Sequence, residues 1–197
     1  MFYLGLVTID DVKLNIELKI PNETVKRIDI DFLQDTLELE NMFKLNTEKL
    51  TEHLAAFAIK GNTTIFEYLA DEIKRNTGIR DYIYNEQTIK SMYLAYLSLT
   101  PYYVIKSEAE LNKGFADLLL KPLNPYVEYV GLVEFKYIKR AEKPTNKQIE
   151  TLVEEAKAQL NTYEKDELVT EFTQAGKHLQ KVVLIFHGWE LLFVAVV

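Results

Sequence analysis

The chain has 197 residues, and 48% of them are hydrophobic, which is enough apolar sequence to bury a core as one domain with an appendage or as two small domains. Its formal net charge of −7 counts against tight, non-specific binding of nucleic acid through a broad basic surface. The absence of cysteine excludes disulfides and cysteine-based zinc sites and fits a reducing compartment.

The first 80 residues predict a hairpin followed by helices. Alternating apolar residues on either side of Asp10 and Asp11 indicate two strands joined by a polar turn at that pair. Three helical segments follow, one beginning near Glu23, one from 47 to 61 and one from 62 to 78. We assign residues 1–80 to a hairpin and helical subdomain, and its apolar start leads us to expect further sequence upstream.

From residue 84 the pattern changes to that of an α/β domain, which we assign to residues 81–197. The first helix is expected to place Glu86, Lys90 and Tyr93 on one face and its apolar residues on the other. The predicted order is αβββαββ: a helix over 85–99, strands over 101–111, 114–122 and 129–139, a helix over 146–165, and two strands around a turn at Gly188.

Charges interrupt two of these apolar strands. Asp117 breaks the second, while Glu134 and Lys136 are two residues apart in the third and therefore share a face, where unpaired charges are costly to bury. Two carboxylates from neighbouring strands can hold Mg²⁺ or Mn²⁺, and a bound ion polarises a phosphate and lowers the pKa of a water. Lys136 would orient that water. A structural ion pair between Glu134 and Lys136 is the alternative.

Basic residues concentrate in and around the same strands. A charge run is more often a solvated face than a binding site, so both interpretations stay open. We assign substrate contacts to three of them, Lys113, Lys139 and Arg140. The whole set comprises Lys106, Lys113, Lys121, Lys136, Lys139, Arg140, Lys143 and Lys147.

The order αβββαβ, with one acid on the second strand and Glu-x-Lys on the third, resembles the core of the PD-(D/E)XK nuclease superfamily. That resemblance implies a restriction-endonuclease-like α/β fold with a mixed central sheet. The segments NEQTIKSMYLAYLSLTPYY, SEAELNKGFADLLLKP, YVGLVEFKYIK and AKAQLNTY look like the nuclease-type domain at the C-terminus of bacterial AAA-type ATPase-like proteins. FYLGLVTI and IPNETVK look like the segment that joins the two parts of those proteins.

The resemblance also implies roles for single residues. Asp117 and Glu134 match the two metal-holding carboxylates of the family, and Lys136 matches its water-positioning lysine. Glu86 matches an acidic residue on the first core helix that assists metal binding. A Q-x-x-x-Y pattern near the site is matched by Gln159 and Tyr163. We therefore assign Gln159 to the catalytic residues and Tyr163 to substrate contact, although ordinary helix positions are the alternative for this pair. We expect the site residues to line one cleft, with carboxylate pKa values raised by mutual repulsion.

Two functions remain from the sequence. The first is a nuclease that requires Mg²⁺ or Mn²⁺ and cuts nucleic acid, with DNA the first expectation and RNA left open. The second is a nuclease-like fold that no longer cuts and instead binds nucleic acid or protein. The chain has no G-x-x-x-x-G-K-[ST] and is therefore not a P-loop enzyme by itself. The ATPase domain that the resemblance implies is expected upstream.

Location and assembly are less constrained. No apolar run approaches the roughly 20 residues that span a bilayer, and the N-terminus lacks the pattern of a signal peptide. We therefore expect a cytoplasmic protein without a membrane partner. A homodimer is one option that the sequence leaves open. The three histidines are scattered rather than at ligand spacing, which disfavours a histidine metal site.

Overall fold

The structure, a computed structural model, describes residues 8–12, 16–19, 45–76, 86–111 and 114–197. It contains two compact units, Met1–Asn46 and Thr47–Val197. The two helices that follow residue 46 thus belong to the larger unit, whereas the domain boundary predicted from the sequence places them with the hairpin.

The smaller unit contains a two-stranded antiparallel hairpin, formed by β1 (Thr8–Val12) and β2 (Ile16–Lys19). The predicted hairpin is confirmed, but the turn at Asp10 and Asp11 is wrong because both residues lie within β1. A register shift between Ile9 and Asp11 lets the strand continue through the polar pair, as a β-bulge does. The helix predicted to begin near Glu23 lies outside the described residues.

The larger unit alternates helices and strands largely as predicted. Its helices are α1 (Thr47–Lys60), α2 (Thr64–Asn76), α3 (Glu86–Leu97), α4 (Asn146–Tyr163) and α5 (Glu167–Gln174). Its strands are β3 (Tyr103–Leu111), β4 (Gly114–Pro122), β5 (Tyr129–Ile138), β6 (His178–His187) and β7 (Glu190–Val196). Among the helices of the described ranges, none combines the length and apolar character needed to cross a membrane.

Helix α5 was not predicted. It has only 8 residues, too few to show a clear periodic pattern or to be stable alone. Tertiary contacts stabilise it, because Val169 is fully buried in a core that it shares with α4 and the sheet. Asp166 caps its first turn by accepting a hydrogen bond from the backbone N–H of Leu168 at 2.9 Å.

The five strands form one mixed sheet in the order β3-β4-β5-β6-β7. The pairs β3–β4, β4–β5 and β6–β7 are antiparallel, and β5–β6 is parallel. A parallel pair needs a crossover connection, which α4 and α5 supply here. In the strand order, β5 lies at the centre of the sheet, in agreement with its apolar residues on both sides.

Helices cover both faces of the sheet, and the two faces differ. On one, which we call the site face, β5 contributes Val130, Leu132 and Ile138 to a core shared with α4 and α5. On the other, which we call the aromatic face, the rings of Phe135 and Phe186 pack against Tyr93 of α3. The aromatic cluster extends through Phe66 of α2 to Phe57 of α1 and Tyr103 of β3.

Tyr93 departs from the sequence prediction. It was expected on the polar face of α3 with Glu86 and Lys90, but it is fully buried. Its hydroxyl donates a hydrogen bond of 2.6 Å to the carbonyl of Phe66, which satisfies the polar atom that burial would otherwise penalise. An aromatic side chain with one satisfied hydroxyl can therefore occupy a core position that periodicity alone marks as polar.

Candidate active site

The candidate site lies where β4 and β5 separate. Their ladder ends at the pair Leu118 and Val133, and the next position in the same register sets Asp117 opposite Glu134. Opposed residues of an antiparallel pair point to the same face. Beyond the ladder, the backbone N–H of Phe135 donates to Asp117 Oδ2 at 2.8 Å, so the aspartate side chain takes the place of a strand partner. The two predicted carboxylates thus lie on adjacent strands and converge.

Glu134 is the most unusual group in this cluster, with only 4% of its surface exposed. Its Oε1 accepts a hydrogen bond from Lys136 at 3.1 Å, whereas its buried Oε2 has no hydrogen-bond partner. Burial raises the pKa of Glu134 to about 7, with a further contribution from the negative charge of Asp117 and opposition from Lys136. Repulsion was the cause expected from sequence, but desolvation is the larger one.

Helix α4 completes the surroundings of Lys136. Its N-terminal cap is Thr145, whose hydroxyl accepts from the backbone N–H of Gln148 at 3.2 Å. One turn before its end, Gln159 Oε1 accepts a hydrogen bond from Lys136 Nζ at 2.5 Å. The lysine ammonium is therefore held between the Glu134 carboxylate and the Gln159 amide.

Tyr163 lies beside this group but is buried, with 5% of its surface exposed. Its ring packs on Gly114, where an added Cβ would lie 2.7 Å from a ring carbon. Burial, then the charges of Glu134 and Asp117, raise the pKa of its hydroxyl, which is hydrogen-bonded to Gln159 and to the backbone of Phe115. Tyr163 is therefore placed to support Gln159, and its contact with substrate stays a prediction.

Glu86 reaches the site through a residue to which the sequence analysis gave no role. Lys90, one turn further along α3, lies with its Nζ 2.5 Å from Glu86 Oε1 and 2.6 Å from Asp117 Oδ1. Glu86 and Asp117 therefore meet across an ammonium group. The signal for Lys90 was present, since it is four residues from Glu86 on one helix face. Its ion-pair partner on β4, Asp117, could not be identified without knowing how α3 packs on the sheet.

The residues present fit a hard divalent cation. Asp117 and Glu134 offer carboxylate oxygens from adjacent strands, and the buried Oε2 of Glu134 lacks a partner that an ion would supply. Mg²⁺ usually takes one or two protein carboxylates and keeps several waters, so two acids suffice. Within the described residues, no group of three or more Asp, Glu, His or Cys side chains is arranged to hold a metal. Glu86 is kept apart by Lys90.

The three basic residues assigned to substrate contact differ in their surroundings. Lys139 and Arg140 are exposed and directly follow β5. The guanidinium of Arg140 lies over the ring of Trp189, 4.2 Å from its centroid, in the turn between β6 and β7. Lys113 lies outside the described residues. Contact with substrate stays a prediction for all three.

A mixed sheet covered by helices, with Asp on one strand and Glu-x-Lys on the next, defines a nuclease-type α/β fold. In agreement with this geometry, the model of the PD-(D/E)XK nuclease superfamily matches residues 84–195, more than half of the chain. The protein belongs to that superfamily, and its fold is the restriction-endonuclease-like fold expected from sequence. No match was found among curated proteins or among solved structures.

Proposed function

We propose that this protein is a metal-dependent nuclease that hydrolyses phosphodiester bonds. The observation that carries the proposal is the pairing of Asp117 with Glu134, whose buried Oε2 has no hydrogen-bond partner. A buried carboxylate with one oxygen that lacks a hydrogen bond lowers the stability of the fold. An apolar residue would therefore serve a purely structural role better. Such groups concentrate at functional sites.

Each residue has a part in the proposed mechanism. Asp117 and Glu134 would hold a divalent cation, which would supply polarisation of the phosphate and a water of lowered pKa. Lys136 donates hydrogen bonds, holding the attacking water in place and stabilising negative charge that develops on the phosphate. Gln159 fixes the lysine ammonium through the 2.5 Å contact, and Tyr163 fixes Gln159. Mg²⁺ or Mn²⁺ is the proposed cofactor.

The proposal extends to substrate and partners. We infer DNA as the substrate, bound with help from the exposed Lys139 and Arg140, and an ATPase-like domain as a partner within a longer cytoplasmic protein. The support for these points is the sequence resemblance of the core segments to the nuclease-type domain of ATPase-like proteins.

A second candidate function is a non-catalytic module of the same fold that binds nucleic acid or protein. The contact of Lys90 with Glu86 and Asp117 favours it, because both acids have a cationic partner without any metal. This candidate predicts a protein that neither cuts nor binds divalent ions tightly.

Cleavage by matched variants separates the two candidates. With Mg²⁺ or Mn²⁺, the parent protein should nick plasmid DNA or cut single strands, whereas Asp117→Asn, Glu134→Gln and Lys136→Met should each lose about a hundredfold or more of that activity. These isosteric or near-isosteric changes keep the fold, since each replaces charge at nearly constant volume. Lys74→Gln is the control, because it removes an exposed lysine paired with Glu190 outside the cluster.

The same samples should be melted with and without millimolar Mn²⁺. An ion bound to the folded state raises the melting temperature, and Asp117→Asn should remove that shift. A parent protein that cuts no nucleic acid and melts identically with and without Mn²⁺ supports the second candidate. If all three variants cut as well as the parent protein, the site assignment is wrong.

A further inference from the structure

Lys90 occupies a position that the proposed mechanism does not use. From α3, its Nζ contacts Glu86 Oε1 at 2.5 Å and Asp117 Oδ1 at 2.6 Å. The lysine side chain is 15% exposed and that of Asp117 is 12% exposed, so solvent and salt screen this contact little. The ammonium therefore neutralises much of the negative charge that Asp117 would present to a cation.

The two acids of the site are not equally available. Glu134 has a buried oxygen with no hydrogen-bond partner, but Asp117 has both oxygens in use, Oδ1 by Lys90 and Oδ2 by the backbone N–H of Phe135. A divalent cation that binds Asp117 must share Oδ1 with the ammonium or replace it. Sharing brings like charges close together in a poorly solvated cleft, where their repulsion is strong. Replacement is the favoured outcome.

We infer that Lys90 is a built-in counter-cation, which neutralises Asp117 and Glu86 before metal arrives and which a divalent ion must displace in order to bind. The inference rests on the proposed function, because it requires that Asp117 hold an ion. Its consequence is a metal site with affinity reduced by competition. The carboxylates remain paired at low ion concentration and are transferred to the metal only when the ion is abundant enough to displace the lysine.

A purely structural role for Lys90 makes different predictions. If the lysine only ties α3 to β4, its removal destabilises the protein and leaves metal affinity unchanged or lower. If it competes with the ion, its removal also destabilises the metal-free protein, because Asp117 and Glu86 then lose the cation that they share. Metal affinity, however, should rise.

The test is calorimetric titration of Mn²⁺ into the parent protein and three variants at pH 8, above the pKa of about 7 to which burial raises Glu134. Lys90→Gln should bind Mn²⁺ about tenfold more tightly or better, and Lys90→Arg, which keeps the charge, should bind no more tightly than the parent. Lys74→Gln is the matched control, a helical lysine paired with a carboxylate of β7, and should leave affinity unchanged. Melting curves of the same samples should show Lys90→Gln regaining stability as Mn²⁺ is added.

The titrations distinguish failure of the inference about Lys90 from failure of the proposed metal site. If the parent binds Mn²⁺, Asp117→Asn abolishes binding and folded Lys90→Gln binds no more tightly than the parent, the inference about Lys90 is wrong and the metal site stands. If Asp117→Asn binds as well as the parent, or if neither the parent nor Lys90→Gln binds at all, both proposals fail.

A measurement on the parent protein covers the case in which Lys90→Gln does not fold. NMR signals of the Lys90 side chain should move during a Mg²⁺ titration, with the same midpoint as signals from the backbone around Asp117. Movement of the backbone signals with an unmoved Lys90 would show that the ion enters without displacing it, and would overturn the inference.

Discussion

The two faces of β5 use neighbouring residues for opposite purposes. On the aromatic face, Phe135 is 2% exposed and packs between the rings of Tyr93 and Phe186. On the site face, Glu134 is almost as buried, yet it has an ionisable carboxyl group and an oxygen without a hydrogen-bond partner. Residues 134 and 135 differ by one position on the strand, which sends their side chains to different sides.

The difference shows how this small domain accommodates a charged cleft. Burial of large aromatic rings contributes several kcal/mol of stability on one side of the sheet. The desolvated carboxylate on the other side reduces stability, and the surrounding core offsets that cost. We therefore expect substitutions on the aromatic face to change stability most, and substitutions on the site face to change activity and its pH dependence.

The largest expected loss of stability comes from Phe135→Ala. It should lower the free energy of unfolding by about 3–5 kcal/mol, because the removed ring leaves a cavity beside Tyr93 and Phe186. Denaturant unfolding measures the change, and Phe115→Ala is the control because Phe115 is 60% exposed. Equal effects of the two substitutions would contradict the division of the sheet into a stabilising face and a site face.

The next effect is a dependence of stability on pH that Glu134 produces in metal-free buffer. Burial raises its folded-state pKa from 4.5 to about 7, so the folded state holds the proton more tightly than the unfolded state. Stability should therefore fall as pH rises from about 4.5 to about 7, by roughly 3 kcal/mol at most, and stay low above that range.

Glu134→Gln should abolish this slope, and unfolding measured at several pH values with a chelator present would reveal the change. Glu190 provides a control of opposite sign, because its hydrogen bond and ion pair with Lys74 lower its pKa. The stability that this exposed pair contributes is lost as pH falls. Glu190→Gln should therefore leave unchanged the loss of stability that occurs as pH rises towards neutral. A pH profile identical in the parent and in Glu134→Gln would contradict the assigned burial of Glu134.

The smallest of the three effects is expected from Gly114→Ala. The new Cβ would lie 2.7 Å from the Tyr163 ring, which is buried and has little room to move. We expect a destabilisation of about 1–3 kcal/mol, together with weaker cleavage as Tyr163 and Gln159 shift. The cost should shrink when Tyr163→Leu is present, as a double-mutant cycle would measure. Full additivity of the two changes would indicate that the ring does not limit this position.

Local patterns in the sequence were sufficient for most of the fold. Short runs rich in apolar residues marked β3, β4, β5 and the final pair of strands, and helical periodicity with capping residues marked α1 to α4. The errors fell where local signals are weak or ambiguous. Helix α5 is only 8 residues long, Asp10 and Asp11 continue a strand through a bulge, and Tyr93 occupies a core position with its hydroxyl satisfied. For α5 and Tyr93, contacts with residues distant in the sequence stabilise the observed structure, whereas for Asp10 and Asp11 the pairing with β2 does so.

The sequence by itself also identified Asp117, Glu134 and Lys136 as charges in otherwise apolar strands, because a strand's period of two is a local property. Only the tertiary structure decided how they meet. The register of β4 against β5 sets Asp117 opposite Glu134, and the packing of α3 places Lys90 between Glu86 and Asp117. Register and helix packing depend on contacts between distant parts of the chain, where a shift of one residue would turn a strand's side chains to the other face.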